Sequence, residues 1–200
     1  MTLDAALLVL AGGESRRMGR SKALLPVGGI TLVEWIVARL GPGLAELLVA
    51  ARSPDQLPPS LHAHLVPDLH PGSGPLAGIQ AGLVAARHEI VVAVACDMPW
   101  VPLDVVGRLV AAVAGHDAAV PRVEGRPEPA CAAYRRRAAP VLAAALAGGR
   151  RQAGAVLRDL DVRWLDGEDP ELFANLNTPA DYEWFRAAVR RSGSGPADPP

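Results

Sequence analysis

Two hundred residues, half of them apolar, with Lys+Arg at 20 against Asp+Glu at 21, leave a net charge of −1. Such a length suits one globular domain that can bury roughly 70% of its unfolded surface without staples. The even charge excludes a protein built to coat nucleic acid or an anionic membrane, and two cysteines outside any C-x-x-C pair, Cys96 and Cys131, exclude a secreted disulfide scaffold.

From the N-terminus, the apolar run over residues 5–11 is preceded by Asp4 and lacks a basic flank, so it makes a poor signal peptide. No apolar run approaches the ~20 residues that span a bilayer, and the chain is expected to be soluble and cytoplasmic with reduced cysteines. AALLVL at 5–10 reads as a strand buried on both faces, followed by an amphipathic helix over 31–40 and strands at 46–50 and 62–66. PLAGIQAGLVAAR at 75–87 reads as a helix with proline in its first turn, EIVVAVAC at 89–96 as a buried strand, and 102–114 as a further helix. This alternation predicts an α/β fold with a mostly parallel sheet between helical layers. Beyond residue 115, DAAVPRV and PACAAY read as two strands around the turn-rich EGRPEP, a hairpin at one side of the sheet. Helices are expected near 136–147, 151–159 and 178–190, with a strand near 162–165. One domain over 1–191 and a disordered Pro/Gly-rich tail over 192–200 complete the reading.

Ligands of open α/β sheets bind outside the carboxyl ends of the strands. The unusual loops of this chain fall there. LAGGESRRMGRSK at 10–22 follows the first strand and sets Gly12 and Gly13 among Arg16, Arg17, Arg20 and Lys22. Backbone N–H groups freed by glycine can gather around an anion, and the cations add formal charge. The spacing is neither that of a P-loop nor that of the dinucleotide fingerprint. Asp97, in CDMPWVP at the tip of a buried strand, reads as a hard oxygen ligand for Mg²⁺. Its other role would be to cap the next helix, but Pro102 lies five residues on. Asp68, in VPDLHPGSGPLAG, either accepts from a nucleotide or orders a turn. A basic glycine loop with an Mg²⁺ carboxylate points to phosphoryl or nucleotidyl transfer. His62 and His64 read as surface residues of an edge strand, Cys96 as a buried small hydrophobe, and Trp100 as a neighbour of the site able to stack on a ligand ring.

LAGGESRRMGRSKALLPVGG, GPLAGIQAGL, CDMPWVP and NLNTPADY, in that order over about residues 5–186, together resemble the molybdenum cofactor guanylyltransferases. The resemblance implies a Rossmann-like three-layer fold and transfer of GMP from GTP onto the terminal phosphate of molybdopterin, with release of pyrophosphate. It implies that Leu10, Ala11, Gly12 and Gly13 line the nucleotide pocket, that Lys22 contacts phosphates, that Asp68 contacts the nucleotide and that Asp97 binds Mg²⁺. Asn175 and Asn177 would lie beside the acceptor. Arg16 is added on electrostatic grounds, as a clamp on the leaving phosphates. The implied partners are GTP, molybdopterin or the molybdenum cofactor, and molybdoenzyme maturation proteins, with neither nucleic acid nor membrane. Two features depart from the pattern. AARSPDQ after the second strand lacks an asparagine, which leaves Arg52 or Ser53 for the base, and Ser21 precedes Lys22, which favours the guanylyl over the cytidylyl branch. The alternatives are a related nucleotidyltransferase with another donor or acceptor, such as a molybdopterin cytidylyltransferase or a sugar-phosphate nucleotidyltransferase, and a non-catalytic nucleotide-binding maturation partner.

Overall fold

The computed structural model describes residues 2–12, 21–67 and 73–192. The chain runs through β1 (Leu3–Leu10), a small hairpin of β2 (Pro26–Val27) and β3 (Ile30–Thr31), α1 (Leu32–Leu40), β4 (Leu44–Ala51) and β5 (His64–Pro67). Next come α2 (Pro75–Ala85), β6 (Ile90–Ala95), α3 (Leu103–Ala112), β7 (Ala118–Val123), β8 (Arg126–Pro127) and β9 (Cys131–Arg135). The chain closes with α4 (Ala139–Ala147), α5 (Ala153–Val156), β10 (Val162–Asp166) and α6 (Pro179–Ser192).

The main sheet has the order β10-β7-β9-β6-β1-β4-β5, with β8 hanging on β7. β1 is parallel to both β4 and β6, β4 to β5, and β7 to β10. The expected mostly parallel α/β sheet is therefore present. β9 alone runs against its two neighbours, β6 and β7. The two strands expected over 117–134 do pair antiparallel, Ala118 with Tyr134 and Ala119 with Ala133, but their place at one side of the sheet is corrected: β9 is inserted between β7 and β6, in the middle of the sheet, and the short β8 folds back on β7. Its composition explains the placement. Cys131, Ala132 and Ala133 are all fully buried, and a strand that is small and apolar on both faces belongs under helices on both sides.

Successive side chains of a strand point to opposite faces, and each face of this sheet has its own core. Leu8, Leu48, Ala93, Val120 and Tyr134 pack under α2, α4 and α5. Leu7, Val9, Val49, Val92, Val94 and Ala133 pack under α1 and α3. A third cluster joins α6 to the β2–β3 hairpin through Trp35, Trp100, Tyr182 and Phe185. α1 begins at a capping box, in which Thr31 N–H donates to Glu34 Oε2 at 2.7 Å and Thr31 Oγ1 accepts from Glu34 N–H at 3.4 Å. α2 lies so near β1 that a Cβ on Gly82 would meet Leu8 Cδ2 at 2.3 Å. The helix expected over 151–159 is shorter, since α5 gives way to a 3-10 turn at Leu157–Asp159. His64 lies on the edge strand β5, whereas His62 precedes it. Among the described residues, no helix is long and apolar enough to cross a membrane.

Candidate active site

β1, β4 and β6 end at one level, because Leu10 is in register with both Ala50 and Ala95. Two further backbone bonds carry that ladder beyond the strands: Ala11 N–H to Ala50 O at 2.8 Å and Cys96 N–H to Leu10 O at 3.1 Å. Ala11–Gly12 and Cys96–Asp97 are thereby set side by side at the carboxyl edge. A turn closed by Met98 N–H on Ala95 O, 3.0 Å, lifts Asp97 off the sheet.

Asp97 is the meeting point of three distant segments. Lys22, at the head of a 3-10 turn anchored by buried Ala23, donates from Nζ to Asp97 Oδ2 at 2.8 Å and to Asn177 Oδ1 at 3.3 Å. The Asn175–Asn177 segment is held from below by Leu176 N–H on the Asp97 carbonyl, 2.8 Å, while Asn175 Nδ2 donates to Phe173 O at 3.3 Å. Lys22 and Asp97 retain side-chain exposures of 19% and 23%, so their charges face an open space rather than a sealed core.

That space is a cavity of about 560 Å³, a size ordinary for a small-molecule site. Leu10 with Ala11 and Gly12 just beyond β1, Ala50 with Arg52 at the end of β4, and Cys96, Asp97 and Met98 just beyond β6 form its floor. Gly74, Pro75 and Gly78 of α2 form one wall, and Glu128, Pro129 and Ala130 form the other, with Lys22 and Asn175 at the rim. Gly74 adopts φ +64° at the start of α2, a conformation that favours glycine. It aims the positive end of that helix at the cavity. Gly78 answers to packing as well, since a Cβ there would lie 3.0 Å from Leu10 Cδ2.

Electrostatics divide the cavity. Burial, then the nearby charge of Asp97, holds the Glu128 carboxyl above the usual range. The Cys96 thiol is pushed up to about 12, first by burial and then by Asp97. It is an inert part of the floor, as the sequence suggested. Among the described residues no group of three or more His, Cys, Asp and Glu is assembled that could hold a metal. The donor set suits Mg²⁺ all the same. Asp97 lines the cavity with one oxygen on Lys22, and this cation takes one or two carboxylates with substrate phosphates.

Of the site residues expected from sequence, Leu10, Ala11, Gly12, Lys22, Asp97 and Asn175 line the cavity, and Asn177 reaches it through Lys22. Gly13, Arg16 and Asp68 lie outside the described residues. Arg52, not Ser53, faces the cavity. Trp100 does not line it; its ring packs edge-on against Phe185 at 4.9 Å and Trp184 at 5.3 Å. Asp97 does not cap α3, which starts at Leu103 with Pro102 at the N-cap and no side-chain cap. The sequence reading passed over Glu128, although a glutamate between two prolines just before a buried strand was a visible signal.

A mostly parallel sheet whose carboxyl edge carries a lysine–aspartate pair over an open cavity defines a nucleotide-handling α/β enzyme class. Within that class the chain belongs to the family of the MobA-like NTP transferase domain, whose model matches residues 7–164. It is 40% identical over 190 residues to a molybdenum cofactor guanylyltransferase of Cereibacter sphaeroides, covering 92% of this chain and 96% of the relative. It is 35% identical over 187 residues to a probable molybdenum cofactor guanylyltransferase of Carboxydothermus hydrogenoformans, covering 90% and 94%. Among solved structures, molybdopterin-guanine dinucleotide biosynthesis protein A of Archaeoglobus fulgidus superposes with a TM-score of 0.80 at 30% identity, over 93% of this chain and 99% of the other.

Proposed function

We propose that this protein transfers GMP from GTP to the terminal phosphate of molybdopterin, forming the guanine dinucleotide cofactor and releasing pyrophosphate. The observation that carries the reading is the convergence of Lys22, Asp97 and Asn177 at the mouth of one cavity, in a chain whose relatives bear that name.

In the reaction, an oxygen of the acceptor phosphate attacks the α-phosphorus of GTP. The bond from that phosphorus to the bridging oxygen breaks, and pyrophosphate departs with the electron pair. The nucleophile is already ionised at neutral pH, so no general base is needed, and no histidine among the described residues lines the cavity. Catalysis then rests on position and charge. The Gly12 backbone and the α2 N-terminus receive the nucleotide, Lys22 draws negative charge from its phosphates, and Asn175 and Asn177 steady the acceptor. Asp97 would hold Mg²⁺, which when bound neutralises phosphate charge. Arg16 on the departing pyrophosphate and Asp68 on the nucleoside belong to the same reading. Two free, buried cysteines accord with a reducing cytoplasm.

Thermal shift with Mg²⁺ and GTP, CTP, ATP or UTP is the first test. A ligand at a hundred times its Kd adds about 2.7 kcal/mol, roughly 5–10 °C for a domain of this size. The reading requires that shift from GTP above the other nucleotides, and guanine dinucleotide product when molybdopterin is added. Preference for another nucleotide, or absence of product, overturns it.

A further inference from the structure

The cavity has two halves, and the lysine–aspartate pair stands between them. One half lies over β1 and β4, where Leu10, Gly12, Ala50 and Gly78 bring backbone and small apolar groups close together. Exposed backbone and small apolar side chains there suit a nucleoside. The other half lies beyond Asp97 and is walled by the segment that enters β9.

Glu128 is the charged group of that second wall, and its mount is rigid. Its N–H donates to Pro121 O at 3.0 Å, and its carbonyl accepts from Cys131 N–H at 3.0 Å. Ala95 N–H donates to Ala130 O at 2.8 Å, which locks the segment onto β6 two residues from Asp97. The phenol of buried Tyr134 donates to Pro129 O at 2.7 Å. The carboxylate itself makes no hydrogen bond or ion pair with the described residues. A fixed, half-buried carboxylate without a partner is costly to hold, and such a group is informative about what is to arrive there. It repels the acceptor's phosphate, so its counterpart must be a donor. A pterin carries a ring N–H and an exocyclic amino N–H side by side on one edge. Those two parallel donors match the two oxygens of a carboxylate.

We infer that Glu128 is the specificity residue for the acceptor: it pairs with the aminopyrimidinone edge of the pterin while the acceptor's phosphate is directed to Lys22 and Asp97. The inference rests on the guanylyl-transfer reading for the identity of the acceptor. Guanine presents the same edge, so the test must separate the two sources of that chemistry.

The probes are a hydroxymethylpterin and the matching lumazine, in which oxygen replaces the exocyclic amino group, titrated by fluorescence into wild type and Glu128→Gln. Wild type should prefer the pterin. Glu128→Gln should weaken pterin binding about ten- to a hundredfold, the loss expected for hydrogen bonds to a charged group, and should erase the preference over lumazine. The GTP-induced thermal shift and its Mg²⁺ half-saturation should be unchanged, which also certifies that the variant folds. The proposal is overturned if pterin affinity does not change, or if GTP or Mg²⁺ affinity falls instead; Glu128 would then serve the donor base or the cation. Wild type that binds pterin through Glu128 but makes no guanine dinucleotide would sink the transfer reading and leave this one standing. Transfer with an unaltered acceptor KM in Glu128→Gln would do the reverse.

Discussion

Lys22 and Asp97 are both partly solvated, so their 2.8 Å contact contributes little to stability. Its value lies in placing a cation and a carboxylate where phosphates are to sit. Lys22→Met should therefore lower kcat/KM by about a hundred- to a thousandfold while shifting stability by less than about 1 kcal/mol; steady-state kinetics and urea unfolding check the two halves. Glu46 has the opposite character. Its side chain is 2% exposed at the far end of β4, where it accepts from the Arg87 N–H and Nε at 2.9 and 3.0 Å and faces His88 Nδ1 at 3.0 Å. Burial works to raise its carboxyl, but the bonds from His88 and Arg87 prevail and hold it at about 2, against a usual 4.5. A depressed carboxyl stabilises the fold above its unfolded value, and the gain is lost as pH falls through the folded value. Between pH about 4.5 and about 2 the wild type should lose on the order of 2–3 kcal/mol that Glu46→Gln does not lose. Unfolding midpoints across that pH range measure the difference.

Two helices carry glycines that look alike in sequence and differ in their surroundings. On α2, a Cβ at Gly82 would fall 2.3 Å from Leu8 Cδ2 and 3.0 Å from Leu8 Cγ. Leu8 is fully buried and has no room to swing away. On α3, a Cβ at Gly107 would meet nothing within 4 Å. Gly82→Ala should destabilise by about 1–3 kcal/mol through overpacking, which outweighs the gain in helix propensity. Gly107→Ala should stabilise by up to about 1 kcal/mol. Thermal unfolding of the pair is a direct test, and equal effects would contradict the packing described. The glycines of GPLAGIQAGL thus serve two purposes. Gly74 turns the chain into the helix, while Gly78 and Gly82 let that helix settle on β1.

At the scale of the molecule, α6 closes the site from behind. Phe185 meets Trp35 at 5.7 Å and Trp100 at 4.9 Å, both edge-on, and Tyr182 Oη donates to Pro26 O at 2.5 Å. Trp184, on the same helix, is 56% exposed and meets the Trp100 ring at 5.3 Å. Phe185→Ala should cost about 3–5 kcal/mol. Because Leu176 and Asn177 connect that helix to Asp97 and Lys22, it should also raise the acceptor KM. Chemical denaturation and kinetics on one preparation test both effects.

Much of this was legible in the chain. Buried strands declared themselves as continuous apolar runs, α1 by its Thr31–Glu34 box, and the site by loops that all follow strands of one sheet. Those signals are local, because propensity, capping and loop chemistry act over a few residues. Three features were not legible: β9 inside the sheet, the burial of Trp100 under α6, and Glu128 on the far wall of the cavity. Each depends on which strand lies beside which. Val94 opposite Cys131 sets the register that carries residues 128–130 next to Asp97. No local pattern specifies that register, because small apolar strands such as CAAY satisfy many partners. It is decided only when two helical layers close over both faces of the sheet.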